Sequence, residues 1–236
     1  NNDSAYETAI SLIQKGINIE AIIDNREEVN SKLTYEVKKN NIKIYEGHTV
    51  TNTSGYKRIN KVTIMQLSKD GQKVVGSKID LSCDCLGVSG GWTPVVHLFT
   101  QSGGKLTFRD EDQVFIPYSY PSEQLSIGSC NGDFTLDEIL TNVPKSLKEF
   151  LKIKNTEYDN LEVLSATNKL KRNIWLLPSD KILGKTKSFV DYQNDATAKD
   201  IKLALREGFK SIEHVKRYTT TGMGTDQGKL GNMHAL

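Results

Sequence analysis

The sequence has little cysteine and no Cys-x-x-Cys pair: Cys83, Cys85 and Cys130 are the three thiols among 236 residues. That is too few, too unevenly spaced, for a disulfide framework; it suits a reducing, cytoplasmic compartment and gives no sign of thiol–disulfide exchange. Cys83-Asp84-Cys85 falls short of zinc-site spacing, and neither Cys130 nor His97 completes a second pair. Buried packing is therefore expected for these thiols, and no metal site. Charge of one sign is missing too. The 31 basic and 29 acidic side chains leave a net charge of +2, which implies no nucleic-acid or membrane partner. There is no apolar run of roughly eighteen residues, so nothing is expected to span a bilayer. The triphosphate-binding loop is absent as well: that motif needs a glycine five positions before Gly228-Lys229, where Met223 stands, and a hydroxyl after the lysine, where Leu230 stands.

What is present centres on residues 190–229, VDYQNDATAKDIKLALREGFKSIEHVKRYTTTGMGTDQGK. Thr197 and Asp200 form a box-like helix start, and Gly208 supplies its stop. A second helix follows from Ser211, with Lys216 and Arg217 in its last turn, where cations suit the carbonyl end. The next stretch, Thr219-Thr220-Thr221-Gly222-Met223-Gly224-Thr225-Asp226-Gln227-Gly228-Lys229, suits neither helix nor strand. Three consecutive hydroxyls, three glycines and a lysine predict a loop with donors aimed outward at an anion, the alternative being a flexible glycine linker.

The earlier chain reads as α/β. Asp3 and Ser4 are good helix caps, and a helix is predicted through Lys15 to a stop at Gly16, then a strand over residues 17–23 ending on Asp24. Helix, tight turn, strand and acid form the second half of a nucleotide-binding βαβ unit. Phosphates there rest on the helix start, here Asn2, Asp3 and Ser4, and the acid, here Asp24, takes a ribose hydroxyl. Arg26 reads as a surface side chain or as a contact for a ribose 2′-phosphate. A helix over 27–39 and a strand over 42–45 follow; His48 reads as a loop histidine. Period-two alternation from Ile59, a Lys69-Asp70-Gly71 turn and a return over 74–79 predict a hairpin, with a further strand over 80–88. Gly90-Gly91 forms an elbow that lets backbone approach a cofactor, and Gly128-Ser129-Cys130-Asn131-Gly132-Asp133 offers amides to a pyrophosphate. Near Pro144 the chain turns polar and lysine-rich, which predicts a boundary dividing 1–144 from 145–236. An exposed loop is expected over Asn155–Asp159, and a short buried strand or extended stretch over Ile174–Pro178. The opening at Asn1 without methionine and the close at Leu236 suggest a piece of a longer polypeptide.

The stretch 190–229 resembles the alpha subunit of heterotetrameric sarcosine oxidases, and NNDSAY, IDNR, SGGWTPVVHLFTQSGGKL and GSCNGDF extend the resemblance over nearly the whole chain. The resemblance implies a partial two-dinucleotide-binding-domain, glutathione-reductase-like module over 1–144, holding a non-redox NAD. A small, mainly helical flavin-interface module over 145–236 would lead into a missing folate-binding domain. It implies an oxidoreductase acting on the CH–NH donor sarcosine, yielding glycine, hydrogen peroxide and methylene-tetrahydrofolate, in complex with beta, gamma and delta subunits. FAD would sit on the beta subunit, FMN between alpha and beta, and tetrahydrofolate on the missing domain. The FMN anchor would be a beta-subunit histidine and not His214. No cysteine follows Cys130, which speaks against an iron–sulfur centre. The expected cofactor-binding residues are Asn2, Asp3, Ser4, Asp24, Gly90, Gly91, Gly128, Asp133, Thr219, Thr220, Thr221, Gly222 and Lys229, with Lys229 and Thr220 as leading FMN contacts. The chain itself would carry no catalytic residue and be inactive alone. Two other readings stay open: an NADH-dependent flavin reductase module, and a non-catalytic nucleotide-binding assembly module.

Overall fold

A computed structural model describes residues 2–120, 123–153, 174–181, 185–229 and 231–236. In chain order the elements are α1 (Ser4–Gln14), β1 (Ala21–Asp24), α2 (Lys32–Lys39), β2 (Lys43–Glu46), β3 (His48–Gly55), β4 (Ile59–Leu67), β5 (Val74–Ser82), α3 (His97–Gln101), β6 (Lys105–Arg109), β7 (Val114–Ser119), a 3-10 turn (Gly128–Asn131), α4 (Leu136–Phe150), β8 (Phe189–Asp191), β9 (Ala196–Thr197), α5 (Ala198–Arg206), α6 (Ile212–Thr219) and α7 (Asn232–Ala235). The fold is mixed α/β and divides into two compact units: Asn1–Gly47 with Leu86–Asn173, and His48–Cys85 with Ile174–Leu236. The division is not the sequential one expected at residue 144. Pro144 lies inside α4, so the change in composition there marks no end of an element.

In the first unit, α1 places Tyr6, Ala9 and Ile10 on one face, at the spacing that lets a helix bury a single stripe. These pack with Ile22 of β1, Val29, Val37 of α2 and Ile42 into the unit's core. The chain leaves α1 through Gly16, whose φ of +77° is the left-handed geometry that glycine adopts without a Cβ penalty. β1 pairs in parallel with β2 from Ala21↔Lys43 to Asp24↔Glu46. It is shorter than expected because β2 offers a partner over only those four positions, and Ile17 is left exposed. Ser31 starts α2 by accepting the Thr34 amide at 3.2 Å, so that helix begins later than residue 27. β6 and β7 form an antiparallel hairpin, in which Phe108 and Phe115 meet edge to face at 5.1 Å. α4 is amphipathic, yet none of its residues is fully buried.

The second unit contains a three-stranded antiparallel meander, β3-β4-β5. The central strand buries Val62, Ile64, Met65 and Leu67. His48 opens β3 opposite Gln66 instead of lying in a loop. The predicted return strand continues to Ser82, after which no strand is assigned through residue 96, so the separate strand expected over 80–88 does not form. Cys83 and Cys85 therefore fall past the ladder. Cys85 is exposed and Cys83 half-buried, which corrects the expectation of packed thiols. Over Ile174–Pro178 there is no strand either, and Trp175, Leu176 and Leu177 are all exposed. That segment is held to the meander by its polar end: Lys78 pairs with Asp180 at 2.5 Å, and Lys181 donates to Asn52 at 3.0 Å. The loop expected over Asn155–Asp159 lies outside the described residues. β8 and β9 form a short antiparallel pair ahead of the α5–α6 hairpin.

Candidate functional site

At the start of α1, Asn2 organises the chain. Its Oδ1 accepts the Ser4 amide at 2.9 Å and the Ser89 hydroxyl at 3.0 Å, and the Ser4 and Ser89 hydroxyls meet at 2.5 Å. Ser89 directly precedes Gly90-Gly91, so two of the sequence-predicted clusters come together here. Asn2 Nδ2 is buried without a hydrogen-bond partner among the described residues. An unpaired buried amide costs about 1–3 kcal/mol, so this donor is the one buried side-chain group at the start of α1 with hydrogen-bonding capacity left over among the described residues. A Cβ added at Gly90 or Gly91 would touch nothing within 4 Å, so the elbow is open on its free side.

Asp24 takes a different role from the expected one. It is 1% exposed, and its Oδ2 accepts from the Tyr6 hydroxyl at 2.9 Å and Arg26 Nη2 at 2.7 Å. Its Oδ1 accepts from the Arg26 amide at 2.9 Å and Nε at 3.1 Å. Arg26, itself only 6% exposed, reaches on to Asp3 at 2.8 Å through Nη1. Burial pushes the Asp24 carboxyl up, but the Arg26 hydrogen bonds outweigh it and hold the group below the ordinary aspartate range. The Tyr6 hydroxyl is pushed well above its usual value by burial and by Asp24. Burial opposes the charge on Arg26, and the two carboxylates more than restore it. With its lone pairs engaged inside the chain, Asp24 presents none to a ribose. Arg26 is neither a surface side chain nor a free phosphate contact.

The Gly128–Asp133 segment turns its last two amides inward. Gly128 carries a φ of +63°, and the Gly132 and Asp133 amides donate to the Ser129 and Gly128 carbonyls at 3.3 and 3.2 Å. Glu138 accepts the next two amides, of Phe134 and Thr135, and Asp133 Oδ1 accepts from Asn142 at 3.0 Å. Arg109 holds the Gly132 carbonyl at 2.8 Å, and a Cβ on Gly132 would lie 2.6 Å from that guanidinium. Two of the expected pyrophosphate donors, the Gly132 and Asp133 amides, are thus spent on the local turn.

The hydroxyl and glycine loop is closed around a residue that composition did not single out. Asp191, at the end of β8, is 6% exposed and accepts the amides of Gln193 at 2.8 Å, Asn194 at 3.2 Å and Gly222 at 2.7 Å, and Asn194 Nδ2 at 3.2 Å. Burial works to raise its pKa, but these donors win and hold the carboxyl below its ordinary range. A carboxylate of the chain itself occupies the place where an anion was expected. Thr219 and Thr221 are buried; their hydroxyls meet at 2.8 Å, and Thr219 donates to the Val215 carbonyl. Thr220 adopts a φ of +59° and turns its hydroxyl onto the Thr219 carbonyl at 2.6 Å. The glycines serve close packing: a Cβ on Gly222 or Gly228 would fall 2.2 Å from Asn232 Oδ1, and one on Gly224 2.2 Å from Gln193 Oε1. Of the expected loop contacts, Thr220 and Lys229 remain on the surface.

Sequence reasoning missed Asp191 and two surface hollows. Asp191 could have been found, since Asp191-Tyr192-Gln193-Asn194-Asp195 is Asx-turn composition. The first hollow, shallow and of about 380 Å³, lies on the α5–α6 hairpin and is lined by Phe209, His214, Arg217 and Tyr218. A second, polar basin of about 340 Å³ lies on the meander, where Lys61, Lys78, Asp80 and Asp180 face one another. Its carboxylates are lowered chiefly by their hydrogen bonds from Lys61 and Lys78, so the charges there are already paired within the chain. Among the described residues no group of His, Cys, Asp and Glu could hold a metal ion, and no helix is long and apolar enough to cross a membrane.

Residues 185–236 match the family model of the sarcosine oxidase A3 domain. Over its whole length the chain is 29% identical to the sarcosine oxidase subunit alpha of Corynebacterium sp. (strain U-96), and it covers 25% of that protein. The same subunit of Rhizobium meliloti (strain 1021) is 28% identical, again over all of this chain and 22% of the relative. The chain therefore spans about a quarter of the length of the curated relatives it matches. Among solved structures, L-proline dehydrogenase from P. horikoshii aligns at 17% identity, over 92% of this chain and 44% of that one, with a TM-score of 0.47. Thioredoxin reductase from T. acidophilum aligns at 16% identity over 56% and 44%, with a TM-score of 0.35. The resemblance drawn from the sequence is shown by homologues that are named sarcosine oxidase subunit alpha and match from one end of the chain to the other.

Proposed function

We propose that this chain is part of the alpha subunit of an oxidoreductase complex that demethylates sarcosine to glycine, giving hydrogen peroxide and methylene-tetrahydrofolate. The reading is carried by one observation: the similarity to sarcosine oxidase alpha subunits runs over all of the chain. The alpha subunit would work with beta, gamma and delta subunits. FAD would be held on beta, FMN between alpha and beta, and tetrahydrofolate on a part of alpha beyond these residues. Bound flavin would supply the redox chemistry, and the contribution of this chain would be binding and orientation.

The start of α1 is the place proposed for a non-redox NAD. Among the described residues Asn2 Nδ2 is a buried donor without a partner there, and the helix N-terminus adds positive potential for phosphate. Asp3 would repel an anion if free, but its charge is answered by Arg26 at 2.8 Å. Ser4, with Gly90 and Gly91 beyond Ser89, would complete the cradle, and the ribose would be read by groups other than Asp24. On the second unit, Lys229 and Thr220 are the exposed loop groups proposed to face FMN, the lysine as the counter-charge for its phosphate.

The test uses the full-length alpha chain co-expressed with its companion subunits. Sarcosine should drive oxygen uptake with one glycine formed per peroxide. NAD released by denaturation should be stoichiometric with alpha chains. Asn2→Asp should lower NAD content by an order of magnitude by setting a second anion against the phosphates, and Lys229→Ala should lower retained FMN. An assembled complex that is inert to sarcosine would overturn the function. Unchanged NAD or FMN content in the variants would overturn the respective site.

A further inference from the structure

We infer that the hollow on the α5–α6 hairpin is a docking surface for an acidic segment of another polypeptide, one that lodges an aromatic or aliphatic side chain against Phe209 and Tyr218. The inference rests on the multi-subunit reading above and locates one of its contacts. The hollow is built by the turn between the helices. Gly208, at a φ of +95°, ends α5, and the Phe209 amide turns back onto the Ala204 carbonyl at 3.1 Å. This sets the Phe209 ring against Tyr218, with centroids 4.8 Å apart and planes inclined by 41°. His214, Arg217 and Tyr218 occupy positions i, i+3 and i+4 of α6 and so share one face. All three are exposed.

Two properties fix the kind of occupant. The first is shape: the hollow is shallow and open, whereas small-molecule sites enclose most of their ligand. Its lining of aromatic rings beside an arginine is the composition that concentrates binding energy at protein interfaces. The second is charge. From Ala198 to Thr219 the hairpin carries six basic and three acidic side chains, against 31 and 29 in the whole chain. One of the three acids, Asp200, is turned onto the Thr197 amide at 2.8 Å. Glu207 lies 3.8 Å from Arg206. Among the described residues no carboxylate pairs with Arg217, so its charge is left for a partner. Electrostatic complementarity of this kind selects an acidic partner and speeds its encounter.

The experiment measures the dissociation constant of the full-length alpha chain for the purified companion subunits, at two ionic strengths. Arg217→Glu and Tyr218→Ala should each weaken association at least tenfold. The Arg217→Glu effect should shrink at high salt, where exposed charges are screened, and the Tyr218→Ala effect should persist. Lys105→Glu makes the same charge change on the exposed edge of the first unit and should leave the constant unaltered. If the wild-type chain takes up no companion subunit, the function proposed above falls and this inference falls with it. If association is intact and indifferent to Arg217→Glu and Tyr218→Ala, or responds equally to Lys105→Glu, only the docking surface is overturned.

Discussion

Replacing Asp191 by Asn separates a loop closed on its own carboxylate from a loop waiting for an anion. The wild-type Oδ1 takes the Gln193 and Asn194 amides, and Oδ2 takes the Gly222 amide and the Asn194 side chain. Asn keeps one acceptor oxygen and presents an NH₂ where the other stood. If the oxygen stays with Gln193 and Asn194, the NH₂ faces the Gly222 N–H, donor against donor. The buried Gly222 amide then goes unpaired, at about 1–3 kcal/mol, and the remaining bonds lose the strengthening due to charge. The expected cost is about 2–4 kcal/mol. At 1.4 kcal/mol per tenfold, that raises the local opening constant roughly 30- to 700-fold. Hydrogen exchange on the full-length protein, read over peptides covering 219–229, checks it. The folded pKa of Asp191 lies below its ordinary value, so its stabilisation is present above about pH 4 and is lost as pH falls through the folded value. The gap between wild type and variant should therefore narrow in acid. Unaltered exchange at pH 7, or faster exchange only in protein stripped of its ligands, would refute the reasoning.

Arg26→Ala leaves Asp24 buried and unpaired, which is expected to cost about 3–5 kcal/mol in urea unfolding. Because burial alone then raises the Asp24 pKa, protonation relieves the variant, and its deficit should shrink as pH drops from 7 toward 4; a deficit independent of pH would count against the buried pair. Gly222→Ala and Gly76→Ala share nearly the same backbone, with φ of +71° and +74°, but only the first sets a Cβ against Asn232, while the second meets nothing within 4 Å. Both should show the left-handed strain of about 1–2 kcal/mol, and Gly222→Ala a further ~1–3 kcal/mol from overpacking. Equal thermal shifts for the two would show that Asn232 does not fill the space between Gly222 and Gly228.

Local rules written into the residues were legible where the structure obeys them nearby. Gly16 ends α1, Asp200 reaches back to the Thr197 amide, and the alternation of Val62, Ile64 and Leu67 builds the central strand of the meander. The misreadings arise where a partner far along the chain decides the outcome. Asp24 has the position of a ribose ligand, and what diverts it is Arg26, two positions on and itself drawn inward by Asp3 twenty-three positions back, together with Tyr6, eighteen positions away. The threonines have the composition of an anion cradle, but Asp191 reaches Gly222 across thirty-one positions. Composition counts donors and leaves their direction open. Ile174–Leu177 shows the converse, since its apolar run predicted burial while only its polar end is fastened to the meander.

The turns share a chemistry that ranks the candidate anion sites. Asp191, Glu138 and Asp200 each place a carboxylate on backbone amides at the start of a turn or helix, and Asp24 does so at the end of β1. A site capped in this way is electrostatically satisfied, and a second anion there would be repelled at short range. At the start of α1 the cap that accepts the Ser4 amide is instead the neutral side chain of Asn2, and the adjacent Asp3 is discharged by Arg26. The helix end keeps its positive potential, and Asn2 Nδ2, without a partner among the described residues, points to the same conclusion from hydrogen-bond accounting. Potential and donor count thus favour the neutral cap over the turn closed on Asp191 as the seat proposed for the NAD phosphates, and they leave the exposed Lys229, not the loop's hydroxyls and amides, as the loop's proposed anion contact.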